Sequence, residues 1–151
     1  MDECCLLQMG AIPVNEDCHK TINVLLVEGS VSIRNVLRNV LRPNDDIKVL
    51  AEVSDALSAL KRFEKGFEGV VVLDINLPNL DGIQAIRQIK HKRPTLPVIV
   101  LSFQSDIRYL QESFKAGASG FVLKERANED LPEAIRKVAN KKNYISIDLV
   151  P

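Results

Sequence analysis

From Ile22 onward, short apolar runs alternate with segments whose apolar residues recur at helical spacing. The runs are Ile22 to Val27, Ile47 to Val53, Val70 to Leu73, Val98 to Leu101 and Gly120 to Leu123, rich in Val, Ile and Leu, and they read as β-strands. Four are nearly continuous in apolar character, as suits strands covered on both faces, whereas Ile47-Lys48-Val49-Leu50 is mixed and suits a sheet edge. Between them, Ile33, Val36, Leu37, Val40 and Leu41 form a helix stripe that stops before Pro43. Ala56, Ala59, Leu60 and Phe63 give a second helix, capped by Ser54 or Asp55 and ended by Gly66. Ile83, Ile86 and Ile89 give a third, and Ile107, Leu110 and Phe114, closed by Gly117, a fourth. Leu131, Ala134, Ile135, Val138 and Ala139 give the fifth. Five β/α pairs predict an α/β fold, a doubly wound five-stranded parallel sheet in the order 2-1-3-4-5 with five helices.

A length of 151 residues, 46% of them hydrophobic, closes one core and leaves no room for a second sizeable domain. Residues 1 to 20 carry no sustained period and read as an N-terminal tail, 21 to 142 as the domain, and 143 to 151 as a C-terminal tail or connector. Cys4, Cys5, Cys18 and His19 fall in the first tail, but the adjacent Cys-Cys pair lacks the two-residue gap of a zinc knuckle, so a plain tail is the simpler reading. Charge balances at 20 basic and 20 acidic residues, without the basic footprint of a nucleic-acid binder, so no direct nucleic-acid partner is expected. Three cysteines without framework spacing point to a reducing compartment, and Met1-Asp2-Glu3 is acidic where a signal peptide is basic. No apolar run reaches the roughly 18 residues of a membrane span. A soluble, cytoplasmic protein is expected.

Sheets of this kind bind ligands beyond the carboxyl ends of their strands. Read in turn, those ends offer Glu28, Asp74, Ser102 and Lys124: two carboxylates, a hydroxyl and an amine from four strands. Taken singly, Glu28 and Asp74 read as helix caps, Ser102 as a strand-end hydroxyl and Lys124 as a solvated amine. Taken together they suit phosphoryl transfer to a carboxylate. Both reactants are then negative, and charge gathers on oxygens that Mg²⁺, a lysine and a hydroxyl donor can neutralise.

The segment Val71-Val72-Leu73-Asp74-Ile75-Asn76-Leu77-Pro78-Asn79-Leu80-Asp81-Gly82 resembles the phosphorylation loop of response-regulator receiver domains. Val24-Leu25-Leu26-Val27-Glu28, Val98-Ile99-Val100-Leu101-Ser102 and Ala116-Gly117-Ala118-Ser119-Gly120-Phe121-Val122-Leu123-Lys124 extend the resemblance over residues 22 to about 140. It resembles in particular the receivers of LuxR-type two-component regulators and implies a flavodoxin-like fold. It further implies Asp74 as phosphoryl acceptor, Lys124 as the cation on the phosphoryl group, and Ser102 with Phe121 as the two halves of a switch. Glu28, Asp74 and the Asn76 carbonyl are the implied Mg²⁺ ligands. The implied partners are a sensor histidine kinase or phosphotransfer protein and a downstream protein or fused output domain, with a possible homodimer through the helix 4 to helix 5 face. Turnover of a substrate is not implied. Pro78 and Gly82 read as turn chemistry, and Phe63, Phe67 and Phe114 as core.

Three positions depart from the family pattern. Gly29 stands where a second acid coordinates the metal, so a weakened Mg²⁺ site is expected. Phe103 replaces a small residue beside Ser102 and narrows the entrance, and Glu125 replaces a common proline. The competing reading is a degenerate receiver serving as a phosphorylation-independent interaction or dimerisation module. A phosphatase of the haloacid-dehalogenase kind is disfavoured because Asn76 stands where it requires a second aspartate.

Overall fold

The computed structural model describes residues 21–77, 81–103 and 105–146. The N-terminal segment with Cys4, Cys5, Cys18 and His19, the turn residue Pro78, and the chain after residue 146 lie outside the described residues. Elements follow in the order β1 (Ile22–Val27), α1 (Val31–Leu41), β2 (Ile47–Val53), α2 (Ala56–Glu64), β3 (Val70–Asp74), α3 (Gly82–Lys92), β4 (Val98–Ser102), α4 (Ile107–Ala116) and β5 (Gly120–Leu123). A 3₁₀ turn (Lys124–Arg126), α5 (Ala127–Ala139) and β6 (Tyr144–Ile145) complete the described residues. The sheet is parallel, in the order β2-β1-β3-β4-β5-β6, with the mixed strand β2 at one edge as its sequence predicts.

The sheet thus holds one strand more than the five expected. Tyr144–Ile145 is too short to show a period, and it joins through backbone bonds from Tyr144 N–H to the Ser119 carbonyl and from Ser146 N–H to the Phe121 carbonyl, both 3.0 Å. Tyr144 and Ile145, within the segment read as a tail or connector, thus pair with β5.

Helices cover both faces, which is why the central strands are apolar throughout. Ala59 and Phe63 of α2, Ile86 and Ile89 of α3 and Leu110 of α4 bury against Leu25, Val71, Leu73 and Val100 on one face. Leu37 and Leu41 of α1 and Leu131, Ile135 and Val138 of α5 bury against Val24, Leu26, Val72 and Ile99 on the other. Phe63 and Phe67 lie in the core and Phe114 is partly buried against it, but Ile107, the first residue of the fourth stripe, is 45% exposed. Asp55 caps α2, its Oδ1 accepting the Ser58 N–H at 2.8 Å. Among the described residues no helix is long and apolar enough to cross a membrane.

Candidate functional site

Parallel register brings four strand ends together. Val27 pairs with Leu73, Asp74 with Leu101, and Ser102 with Leu123, so the residues leaving β1, β3, β4 and β5 surround one point. A one-residue shift of any of these strands would turn its end group to the opposite face of the sheet. Glu28, Asp74 and Ser102 are buried at 2%, 4% and 0% exposure, and the Lys124 side chain at 7%. The solvated-amine reading of Lys124 therefore does not hold. Nor are the two acids helix caps: Ser30 caps α1, accepting from the Ile33 N–H, and Asp81 caps α3, accepting from the Ile83 N–H.

Lys124 Nζ lies 3.0 Å from Asp74 Oδ1 and 3.3 Å from Glu28 Oε2, so one ammonium bridges both carboxylates. Asp74 Oδ1 also accepts the Asn76 N–H at 3.0 Å, which fixes the loop after β3. Gly82, the first residue of α3, packs against Ile75. Its N–H donates to the Ile75 carbonyl at 3.1 Å, and a Cβ there would lie 2.4 Å from the same oxygen, so glycine is required by close approach. The loop after β1 is fixed by Ser30 N–H on Glu28 Oε1 at 3.2 Å and by Arg34 Nη1 on the Glu28 carbonyl at 2.6 Å.

Burial first, and then the charge of Asp74, hold the Glu28 carboxyl above its usual range, while the Ser30 N–H and Lys124 pull the other way. Glu28 Oε2 is buried and no hydrogen bond reaches it, although Lys124 is ion-paired to it. Two crowded carboxylates with an unsatisfied buried oxygen form a hard donor set that suits a divalent cation such as Mg²⁺, which is commonly held by one or two carboxylates, water and phosphate oxygens. Gly29 is exposed and adds no donor, and among the described residues no cluster of three or more His, Cys, Asp or Glu forms a metal cage.

Phe103 is 58% exposed and its ring centroid lies 4.7 Å from Lys124 Nζ, so the ring that the sequence places at the entrance also carries a cation–π contact. Phe121 is fully buried. A cavity of about 900 Å³ lined by Thr21, Asn23, Asp46, Gly69 and Arg136 lies at the amino ends of the strands, remote from these groups.

One cluster beside the site has no counterpart in the sequence reading. Asp130 of α5, 4% exposed, accepts from Arg126 Nε at 3.0 Å, Arg126 Nη2 at 3.3 Å, Tyr144 Oη at 3.1 Å and Ser146 Oγ at 2.8 Å. Burial alone would raise its carboxyl, but bonds from Arg126, Ser146 and Tyr144 outweigh it and hold Asp130 below the usual range. The Tyr144 hydroxyl, desolvated and facing Asp130, is pushed up to about 12. An acid in the first turn of a helix reads from sequence as a partner of the helix dipole, which masks this role.

Comparison with known proteins places the arrangement. The family model described as the response regulator receiver domain matches residues 24–136. The transcriptional regulatory protein DegU of Brevibacillus brevis is 31% identical over 133 residues, 87% of this chain and 56% of that protein. A protein-glutamate methylesterase/protein-glutamine glutaminase of Rhodopseudomonas palustris is 38% identical over 70% of this chain but 29% of its own length, so the chain spans about half or less of these two relatives. The chemotaxis protein CheY of Listeria monocytogenes is 30% identical, covering 78% of this chain and 98% of that protein. Among solved structures, a LuxR-family two-component response regulator from Aurantimonas sp. SI85-9A1 superposes with a TM-score of 0.82 at 26% identity, over 86% of this chain and 93% of the other. The isolated receiver domain of RcsB from Salmonella enterica serovar Typhimurium, solved with the phosphomimetic BeF₃⁻, gives 0.79 at 25% identity over 86% and 96%.

Proposed function

The chain belongs to the response regulator receiver domain family, and from that membership we propose that it is a phosphorylation-dependent switch with Asp74 as the acceptor. The supporting observation is the buried ammonium of Lys124 at 3.0 Å from Asp74 and 3.3 Å from Glu28. In the reaction proposed, one Asp74 carboxylate oxygen attacks the phosphorus of a phosphohistidine on a sensor kinase or phosphotransfer protein. The new O–P bond forms as the N–P bond breaks, and the histidine nitrogen leaves with the bonding electron pair and takes a proton from water. Lys124 transfers its pairing from carboxylate to phosphoryl oxygen, and the Ser102 hydroxyl donates to another. Glu28, Asp74 and the Asn76 carbonyl would hold Mg²⁺, which supplies charge neutralisation at the phosphoryl oxygens.

Ser102 and Phe121 are the proposed switch halves, and the face of α4 and α5 its reading surface, where Ile107 and Tyr109 of α4 are 45% and 38% exposed. A downstream protein or fused output domain, or a second copy of the chain, would bind there. Neither turnover of a substrate nor DNA binding by these residues is proposed, and the proposed compartment is the cytoplasm.

Incubation with acetyl phosphate and Mg²⁺ followed by intact mass spectrometry tests the acceptor. A labile phosphoryl adduct that disappears in Asp74→Asn is expected. Gly29 motivates the second reading, a degenerate receiver that binds partners without phosphorylation. Gly29 does not take a positive φ, so aspartate can adopt its backbone. No adduct on the wild-type chain, with one restored by Gly29→Asp, selects that second reading.

A further inference from the structure

Side-chain bonds tie Asp130 to the chain on both sides of Lys124. On the amino side, Ser146 Oγ donates to Asp130 at 2.8 Å and itself accepts the Leu123 N–H at 3.0 Å. On the carboxyl side, Arg126, the last residue of the 3₁₀ turn that begins at Lys124, pairs with Asp130 at 3.0 Å. The same carboxylate holds Tyr144, and Ser146 N–H is bonded to the carbonyl of Phe121. Ser146 and Asp130 are 0% and 4% exposed, so these bonds are shielded from water, where a lost partner is costly.

We propose that β6 (Tyr144–Ile145), with Ser146 after it, is energetically coupled to the phosphoryl site. Asp130 acts as a positioning residue that joins both flanks of Lys124 and the C-terminal strand into one unit, so an occupied site tightens the docked strand and the docked strand tightens the site. The sign follows from what coincides in the structure: the ammonium is drawn inward onto Asp74 and Glu28, Phe121 is buried, and β6 is docked. A phosphoryl group adds negative charge opposite the ammonium and favours that inward arrangement. Coupling of this kind is reciprocal. The chain after residue 146 would thereby receive the state of the site through β6 itself. This inference rests on the reading of Asp74 as acceptor.

The test uses the whole isotope-labelled chain with Mg²⁺ and beryllofluoride. Fluorine NMR reports occupancy, and amide hydrogen exchange of Tyr144 and Ser146 reports docking. At saturation, exchange at both amides is expected to slow by about fivefold or more, the lower end of typical coupling. Ser146→Ala, and Tyr144→Phe as the milder change should the first fail to fold, are expected to weaken beryllofluoride affinity. A merely structural role would lower the melting temperature and leave that affinity unmoved. A bound fluorine signal with unchanged exchange, or variants that bind as the wild type does, overturns the coupling alone. No bound fluorine signal overturns the acceptor reading and the coupling with it.

Discussion

Glu28 is 2% exposed beside Asp74 and Lys124, and its carboxyl is held above the usual range by burial and then by its neighbour's charge. A carboxyl raised in this way takes up its proton more readily folded than unfolded. Its contribution to stability is present below the unfolded value near 4.5 and is lost as pH rises through the folded one. Glu28→Gln, neutral throughout, should therefore melt above the wild type at neutral pH, and the gap should close as pH falls toward 4.5. Thermal melts across that range decide it, and equal melting temperatures at neutral pH would count against the crowded-carboxylate account. Phe103 acts on the same site from outside. A cation over an exposed ring is worth about 0.5–1 kcal/mol, so Phe103→Ala, by releasing Lys124 and the entrance, should speed phosphorylation by acetyl phosphate by about two- to fivefold. An unchanged rate would show that the ring neither restrains the lysine nor obstructs the donor. Glu28, Asp74, Ser102 and Lys124 were all legible in the sequence because each directly follows or ends an apolar strand. The cation–π contact was not, since a side chain's reach across a loop leaves no periodic trace.

At the scale of elements, the site depends on how closely α3 approaches the loop after β3. A Cβ on Gly82 would stand 2.4 Å from the Ile75 carbonyl and 2.6 Å from its Cα, backbone atoms that cannot rotate away. Gly82→Ala must push that loop, and with it the Asn76 N–H that holds Asp74 Oδ1. Overpacking of this kind typically costs about 1–3 kcal/mol. Urea denaturation is expected to show a loss in that range together with slower phosphorylation, and a variant as stable and as reactive as the wild type would mean that the loop yields freely. Helix stripes and the Asp55 cap of α2 were readable because 3.6-residue periodicity and a capping aspartate before an apolar stripe are local signals. Ile107 misled for the same reason: it keeps the spacing of the stripe in the first turn of α4, yet the sheet does not reach it and it remains 45% exposed.

Across the whole molecule, alternation of apolar runs with helical stripes sufficed for five strands and five helices, because each strand must be covered by the helices that connect it. The sixth strand escaped that logic. Two residues carry no alternation, and β6 is held by long-range bonds: Tyr144 and Ser146 reach Asp130, 14 and 16 positions away, and Leu123, 23 positions away, reaches back to Ser146. Ending the chain after Lys142 therefore does more than trim a tail. It uncovers the edge of β5, leaves the Leu123 N–H without Ser146 Oγ, and leaves Asp130 with Arg126 as its side-chain partner. Stripping a buried carboxylate of two of its donors costs on the order of 2–3 kcal/mol, a large share of the roughly 5–15 kcal/mol that holds a domain together. The shortened chain should unfold at a clearly lower urea concentration. Ser146→Ala in the full chain should show only part of that loss, since Tyr144 and the backbone ladder remain. Equal midpoints for the full and shortened chains would mean that β6 contributes nothing to the domain and that 21 to 142 is its true extent.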